Sequence, residues 1–242
     1  MELDKVKLPY VCKDLNHLLR KIDEINRDCI IEDEDLLLVS FDIVNMFPSI
    51  NKSFGIEQCK THLEKRESPI FSTACILKAL EITLDNKITQ FEGILYKQCK
   101  GTAMGPPNAC SYADVTMNEL DKQVNEGNKW PEALRPLCWI RFRDDVLALW
   151  THGREALERF LNWLNKLFPG ILFTMKFSKQ LMEYLNTIVY IKNGKLHTRP
   201  FSKPCDTHTY LIPSSCHATH TIKNIRYSIA LTIYKIASEP AE

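Results

Sequence analysis

The sequence predicts an α+β layer fold, with helices packed on one face of an antiparallel sheet. Three observations predict it: a short apolar run that ends in a carboxylate at residues 36–42, a strand–turn–strand pattern at 137–150 divided by Asp144-Asp145, and a helical repeat at 154–168. The elements between them complete the order strand, helix, hairpin, helix, hairpin, helix, strand.

Leu15, Leu18, Leu19, Ile22 and Ile25 recur at helical intervals within residues 11–27, and the acidic run Glu32, Asp33, Glu34, Asp35 ends that pattern. Residues 36–42 then read as a buried strand that delivers Asp42 to its end, where Pro48 keeps a helix from following directly. Residues 51–87 read as two helices, the second from about Ser68 to Leu84, and residues 88–98 as a hairpin turning at Glu92-Gly93. Ala109, Tyr112, Ala113, Met117, Leu120 and Val124 share one face of a helix over 107–126. Leu157, Phe160, Leu161, Leu164 and Leu167 do the same over 154–168, closed by Pro169-Gly170. Two or three short strands follow, at about 171–177, 184–191 and 195–200.

Composition bounds the function without naming it. With 242 residues, 45% hydrophobic and 25% charged, the chain suits one large or two small globular domains rather than a disordered or fibrous state. The net charge is +1, but residues 1–40 carry six Lys/Arg against ten Asp/Glu, and residues 176–242 carry nine against four. A basic C-terminal quarter suits a phosphate backbone. Nine cysteines form no even framework, no signal peptide opens the chain, and no window reaches the roughly 18 apolar residues of a membrane span. Those observations place the chain in the nucleus or cytoplasm, off the membrane and without disulfides.

Ionised carboxylates in a buried setting need a cation. An Asp at a strand end and an Asp pair at a hairpin tip, if their strands are neighbours, put two or three hard oxygen donors on one rim. That donor set suits Mg²⁺, which completes its shell with water and substrate phosphate. Two such ions about 3.5–4 Å apart clamp both oxygens of an in-line phosphoryl displacement. Asp is also common in turns for purely local reasons, so the pair alone is not diagnostic. Between the acidic elements, two of the eight glycines fall within residues 101–105, ahead of Pro106-Pro107 and a helix. Such a loop lets backbone approach a ligand closely.

Residues 40–50 (Ser-Phe-Asp-Ile-Val-Asn-Met-Phe-Pro-Ser-Ile) resemble motif A of reverse transcriptases, residues 101–113 (Gly-Thr-Ala-Met-Gly-Pro-Pro-Asn-Ala-Cys-Ser-Tyr-Ala) resemble motif B, and residues 139–145 (Trp-Ile-Arg-Phe-Arg-Asp-Asp) resemble motif C. Segments 173–178, 196–203 and 206–210 further resemble Penelope-like retroelements, so that the likeness runs from about residue 10 to 236. The resemblance implies a reverse-transcriptase palm at 36–191, a helical connection from the fingers at 1–35, and the link to the thumb and its start at 192–242. It implies that Asp42 and Asp144 ligate two Mg²⁺ ions (Mn²⁺ as a substitute) with the Ile43 carbonyl, and that Asp145 is the third carboxylate. Phe47 falls at the steric gate that selects dNTP over rNTP, and Ala103, Met104 and Gly105 face the incoming nucleotide. Lys176 or Lys179, in motif D, would protonate the leaving pyrophosphate. The implied partners are an RNA or DNA template with its primer, and dNTP.

The sequence departs from that pattern in four ways. Arg143 stands where a small or apolar residue is usual, and Leu185-Asn186 where Leu-Asp is more frequent. The fingers that grip the triphosphate are expected to be missing and the thumb cut short, with no GIY-YIG endonuclease, as in a fragment of an element. Apolar surface is then expected to be open where those parts would pack. Two other readings stay open: a nucleic-acid-binding remnant without catalysis, and a zinc module built from Cys205, His208, Cys216, His217 and His220.

Overall fold

A computed structural model describes residues 2–28, 36–67, 69–207, 211–212 and 215–238. Strand β1 (Leu37–Val44) lies inside a four-stranded antiparallel sheet, between β5 (Asp145–Trp150) and β6 (Leu172–Ser178), with β4 (Cys138–Phe142) beyond β5. Side chains alternate across a strand, and β1 uses both faces. Val39, Phe41 and Ile43 enter one core together with Val146, Ala148 and Trp150. Leu38 enters a second core on the other face, with Ile140, Leu147 and Leu149.

The first face carries the helices that the periodicity predicts. On α5 (Ala109–Asn125), Tyr112, Ala113, Leu120 and Val124 are buried, and on α6 (Gly153–Leu167) Leu157, Phe160 and Leu164 are. Phe160 is the hub of this layer: its ring lies 5.0 Å from that of Trp150, 5.2 Å from Trp130, 5.5 Å from Trp163 and 6.0 Å from Phe41. Helices α3 (Lys52–Glu64) and α4 (Thr73–Asp85) extend the same layer through Cys59, Leu63, Leu80 and Leu84.

The opposite face is covered too. Leu18 and Ile22 of α1 (Leu15–Asp28) share the second core with a three-stranded antiparallel sheet formed by β7 (Leu181–Tyr184), β8 (Thr187–Lys192) and β9 (Lys195–Pro200). The Tyr184 hydroxyl donates to the Ile140 carbonyl at 3.0 Å, tying that sheet to β4. Residues 10–12 run along the free edge of β4, where the Arg141 N–H donates to the Tyr10 carbonyl and the Cys12 N–H to the Arg141 carbonyl. That contact covers an edge which would otherwise offer unpaired backbone groups.

Several expectations need correction. β1 does not end at Asp42: pairing with β6 carries it to Val44. Pro48 does not prevent a helix, because the single turn α2 (Met46–Ser49) holds it where no intrahelical N–H bond is needed. α4 starts at Thr73 rather than near Ser68, because the Ser72 hydroxyl caps the Cys75 N–H at 3.2 Å. Four strands follow α6 where two or three were expected. The hairpin of β2 (Ile88–Phe91) and β3 (Ile94–Lys97) does turn at Glu92-Gly93, both at positive φ.

Large apolar side chains stand open on that hairpin (Ile88, Phe91, Ile94, Leu95) and on α7 (Thr219–Ile236), at Tyr227 and Tyr234. The eight described cysteines are all free thiols. Among the described residues no helix is long and apolar enough to cross a membrane. Replacing the aromatic hub, Phe160→Ala, should lower unfolding free energy by about 3–5 kcal/mol, measured by urea denaturation followed through tryptophan fluorescence.

Candidate active site

Because Phe41 and Ile43 are committed to the helix-side core, Asp42 must face the other way, and it is exposed there. The β1–β5 register sets Asp42 directly opposite Asp145, the first residue of β5. Asp144 stands exposed at the hairpin tip behind Arg143, whose φ is +56°. The Ile43 N–H donates to the Asp144 carbonyl at 2.9 Å, fixing the tip against β1. All three aspartates named from the sequence therefore meet at one end of β1 and β5.

Their charges oppose one another. The Asp145 carboxyl is held above its ordinary pKa, first by burial, then by the negative charges of Asp144 and Asp42, with Lys203 pulling the other way. Among the described residues, no three or more His, Cys, Asp or Glu side chains close into a ready-made metal cage. An open rim of mutually repelling carboxylates still fits a divalent cation of the Mg²⁺ kind, which keeps water and takes further oxygens from a phosphate. Of the suggested zinc ligands, His208 lies outside the described residues, and Cys205, Cys216, His217 and His220 form no such group.

Asp42 and Asp145, but not Asp144, line a cleft of about 950 Å³ between the two sheets, together with Ser40, Thr174, Lys176 and Lys203 among others. Lys176 is the β6 partner of Ser40, so it shares the face of Asp42, two positions along. Lys179, in the β6–β7 turn, does not line the cleft. The structure thus separates the two lysines that sequence left as equals. Lys203 and Lys13 also line it and were assigned no role. No local signal marks them, because only the return of β9 and the packing of the N-terminal segment bring them in.

Phe47 and the glycine loop form a second cluster. The Thr102 N–H donates to the Phe47 carbonyl at 2.8 Å, and Gly101, at φ +65°, lies so close to Pro48 that a Cβ would run into its backbone. Buried Lys87 donates from Nζ to the Gly101 carbonyl at 2.5 Å, with its pKa lowered by burial and then by Lys52. Beyond this anchor Ala103 is half-buried, Met104 is 75% exposed, and Gly105 sits at φ +114° in open space. Phe47 is half-buried against the helix-side core, and neither it nor Gly105 lines the cleft of the aspartates.

Arg143 pairs with Asp114 of α5. Beside that pair lies a buried set that sequence reading missed. The Arg141 side chain is 0% exposed, and it donates from Nε to Asp121 and from Nη1 to Asp114, while Trp139 Nε1 donates to Asp121 at 2.9 Å. The available signal was spacing: Asp114 and Asp121 are seven residues apart, two helical turns, on the face of α5 that also carries buried Met117 and Val124.

No protein-family model and no curated protein matches the sequence. Solved structures do. Telomerase from Candida albicans, in complex with the TWJ fragment of telomeric RNA, superposes with a TM-score of 0.64 at 11% identity, over 83% of this chain and 38% of that one. Apo telomerase from Candida tropicalis gives 0.63 at 11% identity, over 81% and 39%. The RNA-dependent RNA polymerase of a human picobirnavirus gives 0.53 at 12% identity, over 75% and 34%. This chain has a reverse-transcriptase-like polymerase fold. It spans less than two fifths of the length of each of these three polymerase structures.

In that polymerase fold the paired aspartates carry a cost that depends on pH. Because the folded-state pKa of Asp145 is raised, its contribution to stability is fully present below the unfolded-state value and is lost as pH rises through the folded-state value. Asp145→Asn should therefore melt above wild type at neutral pH in chelator-treated buffer, by about 2–4 °C for each kcal/mol of repulsion removed. The gap should narrow toward the ordinary carboxylate range near about pH 4, as thermal melts across that pH series would record.

Proposed function

We propose that this chain is the palm of an RNA-directed DNA polymerase, a reverse transcriptase of the Penelope-like retroelement type, acting on a primed RNA or DNA template with dNTP. The observation that carries the reading is the Asp42–Asp145 pairing across the two central strands, which puts both side chains on the cleft, with Asp144 next in sequence at the adjoining tip. Residues 36–191 would form the catalytic palm, with 1–35 leading in and 192–242 leading on toward a thumb.

In this reading Asp42 and Asp144 would hold two divalent cations, with the Ile43 carbonyl assisting and Asp145 sharing their charge. Bound there, Mg²⁺ or Mn²⁺ would favour ionisation of the primer 3′-hydroxyl and neutralise the departing phosphates. The primer 3′-hydroxyl would give its proton to water as its oxygen bonds to the α-phosphorus, and the bond from that phosphorus to the bridging oxygen breaks to release pyrophosphate. Lys176, on the same face, supplies a proton from Nζ to the pyrophosphate that leaves. Ala103, Met104 and Gly105, of which the last two are exposed, would face the nucleotide. Phe47, whose carbonyl accepts the Thr102 N–H, would crowd a ribose 2′-hydroxyl in this reading.

Primer extension tests the reading directly: an RNA template annealed to a DNA primer, dNTP and Mg²⁺, wild type beside Asp144→Asn. The expected result is extension by wild type and a loss of at least about 10³-fold in the variant, roughly 4 kcal/mol of transition-state stabilisation. Equal extension by both would remove Asp144 from the site. Template binding without extension by either would instead indicate a nucleic-acid-binding chain without catalysis. Phe47→Ala should raise rNTP use relative to dNTP by about tenfold, near 1.4 kcal/mol, read as the ratio of kcat/KM for the two substrates.

A further inference from the structure

The hairpin that carries Asp144 and Asp145 is gripped from behind by a set of four charges. Arg141 Nε and Nη2 engage the Asp121 carboxylate, at 2.9 and 2.8 Å to Oδ2. Its Nη1 divides between Asp114 Oδ1 at 3.2 Å and the Arg143 carbonyl at 3.1 Å. Nη2 also reaches the Asp114 carbonyl at 3.2 Å. The remaining Asp114 oxygen accepts the Arg143 guanidinium, whose Cζ sits 5.8 Å from the centre of the Phe142 ring. Two cations meet two anions in direct contact, and the Asp4 carboxylate of the N-terminal segment also feels Arg143.

We propose that Arg143 is a positioning residue for the aspartate pair. It occupies a turn position at φ +56°, which arginine does not favour and glycine would accept without cost. Its side chain is tied to α5 through Asp114 and its carbonyl is tied to Arg141, so both ends of the tip residue are held. The next residue is Asp144, whose carbonyl receives the Ile43 N–H. The grip therefore fixes the tip relative to β1, and so fixes Asp144 relative to Asp42. The same helix that follows the Ala103–Gly105 loop supplies the anchor, so the nucleotide side and the carboxylate side share one rigid connection.

Arg143→Gly is the decisive variant. Glycine suits the tip backbone, and Arg143 is the one member of the set with a 32% exposed side chain, so Asp114 and Asp121 keep Arg141. The proposal rests on reading Asp42, Asp144 and Asp145 as a divalent-cation site, and two readouts separate the two claims. Amide hydrogen exchange at Ile43 reports the tip without reference to metal. It should speed up by about tenfold in Arg143→Gly while the amides of Val39 and Val146 keep wild-type rates, a local and not a global opening. Mn²⁺ titration followed by electron paramagnetic resonance should show at least about fivefold weaker binding, with Arg143→Lys in between because it keeps charge but loses the planar fork.

Unchanged Ile43 exchange in Arg143→Gly overturns the proposal. So does faster exchange with unaltered Mn²⁺ binding in a chain whose Asp144→Asn variant does bind more weakly, since the grip would then serve stability alone. If Asp144→Asn itself leaves Mn²⁺ binding intact, the cation-site reading fails, and the exchange arm alone decides whether Arg143 holds the tip.

Discussion

Strand β1 serves two environments at once, and the rest of the molecule is arranged around that demand. Paired on both edges, it cannot slide without breaking two ladders, and a slip of one residue would exchange its faces. Val39, Phe41 and Ile43 would then face the cleft, and Ser40 and Asp42 would enter an aromatic core built around Phe160. Burying a carboxylate there has a prohibitive cost, so the register is held by apolar burial and charge exclusion together. The position of Asp42 is a by-product of where Phe41 must go.

That register brings like charges together, which is unfavourable in isolation. The elevated Asp145 carboxyl is the local sign of that tension. Surrounding contacts resist its relaxation. The tip is tied forward to Ile43 and backward to α5, and the cleft wall carries Lys13, Lys176 and Lys203. The buried Arg141 cluster adds little net stability by the usual balance of desolvation against attraction. Its donors do fix one rotation of α5 against β4, which a purely apolar contact would leave looser.

The second sheet gives the site its walls. Without β7–β9 the aspartates would stand on an open face of the four-stranded sheet. Folded back and pinned by Tyr184, that sheet encloses a volume large enough for a nucleotide and brings Lys203 toward Asp145. The glycine loop is set separately, by its close approach to Pro48 and the bond from Thr102 to Phe47, so the cleft and the loop are built by different contacts.

Local sequence determined the kinds of element and the three aspartates. Short apolar runs at 36–42 and 137–150 follow from strands buried on both faces, and 3.6-period runs at 107–126 and 154–168 from helices buried on one. Asp42 and Asp144-Asp145 stand out because they interrupt apolar runs. Tertiary structure decided what periodicity cannot carry: the extension of β1 to Val44 by pairing with β6, the presence of Lys176 and not Lys179 in the cleft lining, the turning of Arg143 toward Asp114, and the Arg141–Asp121 pair. Each of these depends on residues at least 25 positions apart or on which strand lies beside which, except the last, 20 apart, whose helical spacing was visible but lacked a partner until β4 was placed. Hydrophobic pattern specifies a face, and only the folded chain specifies what that face meets.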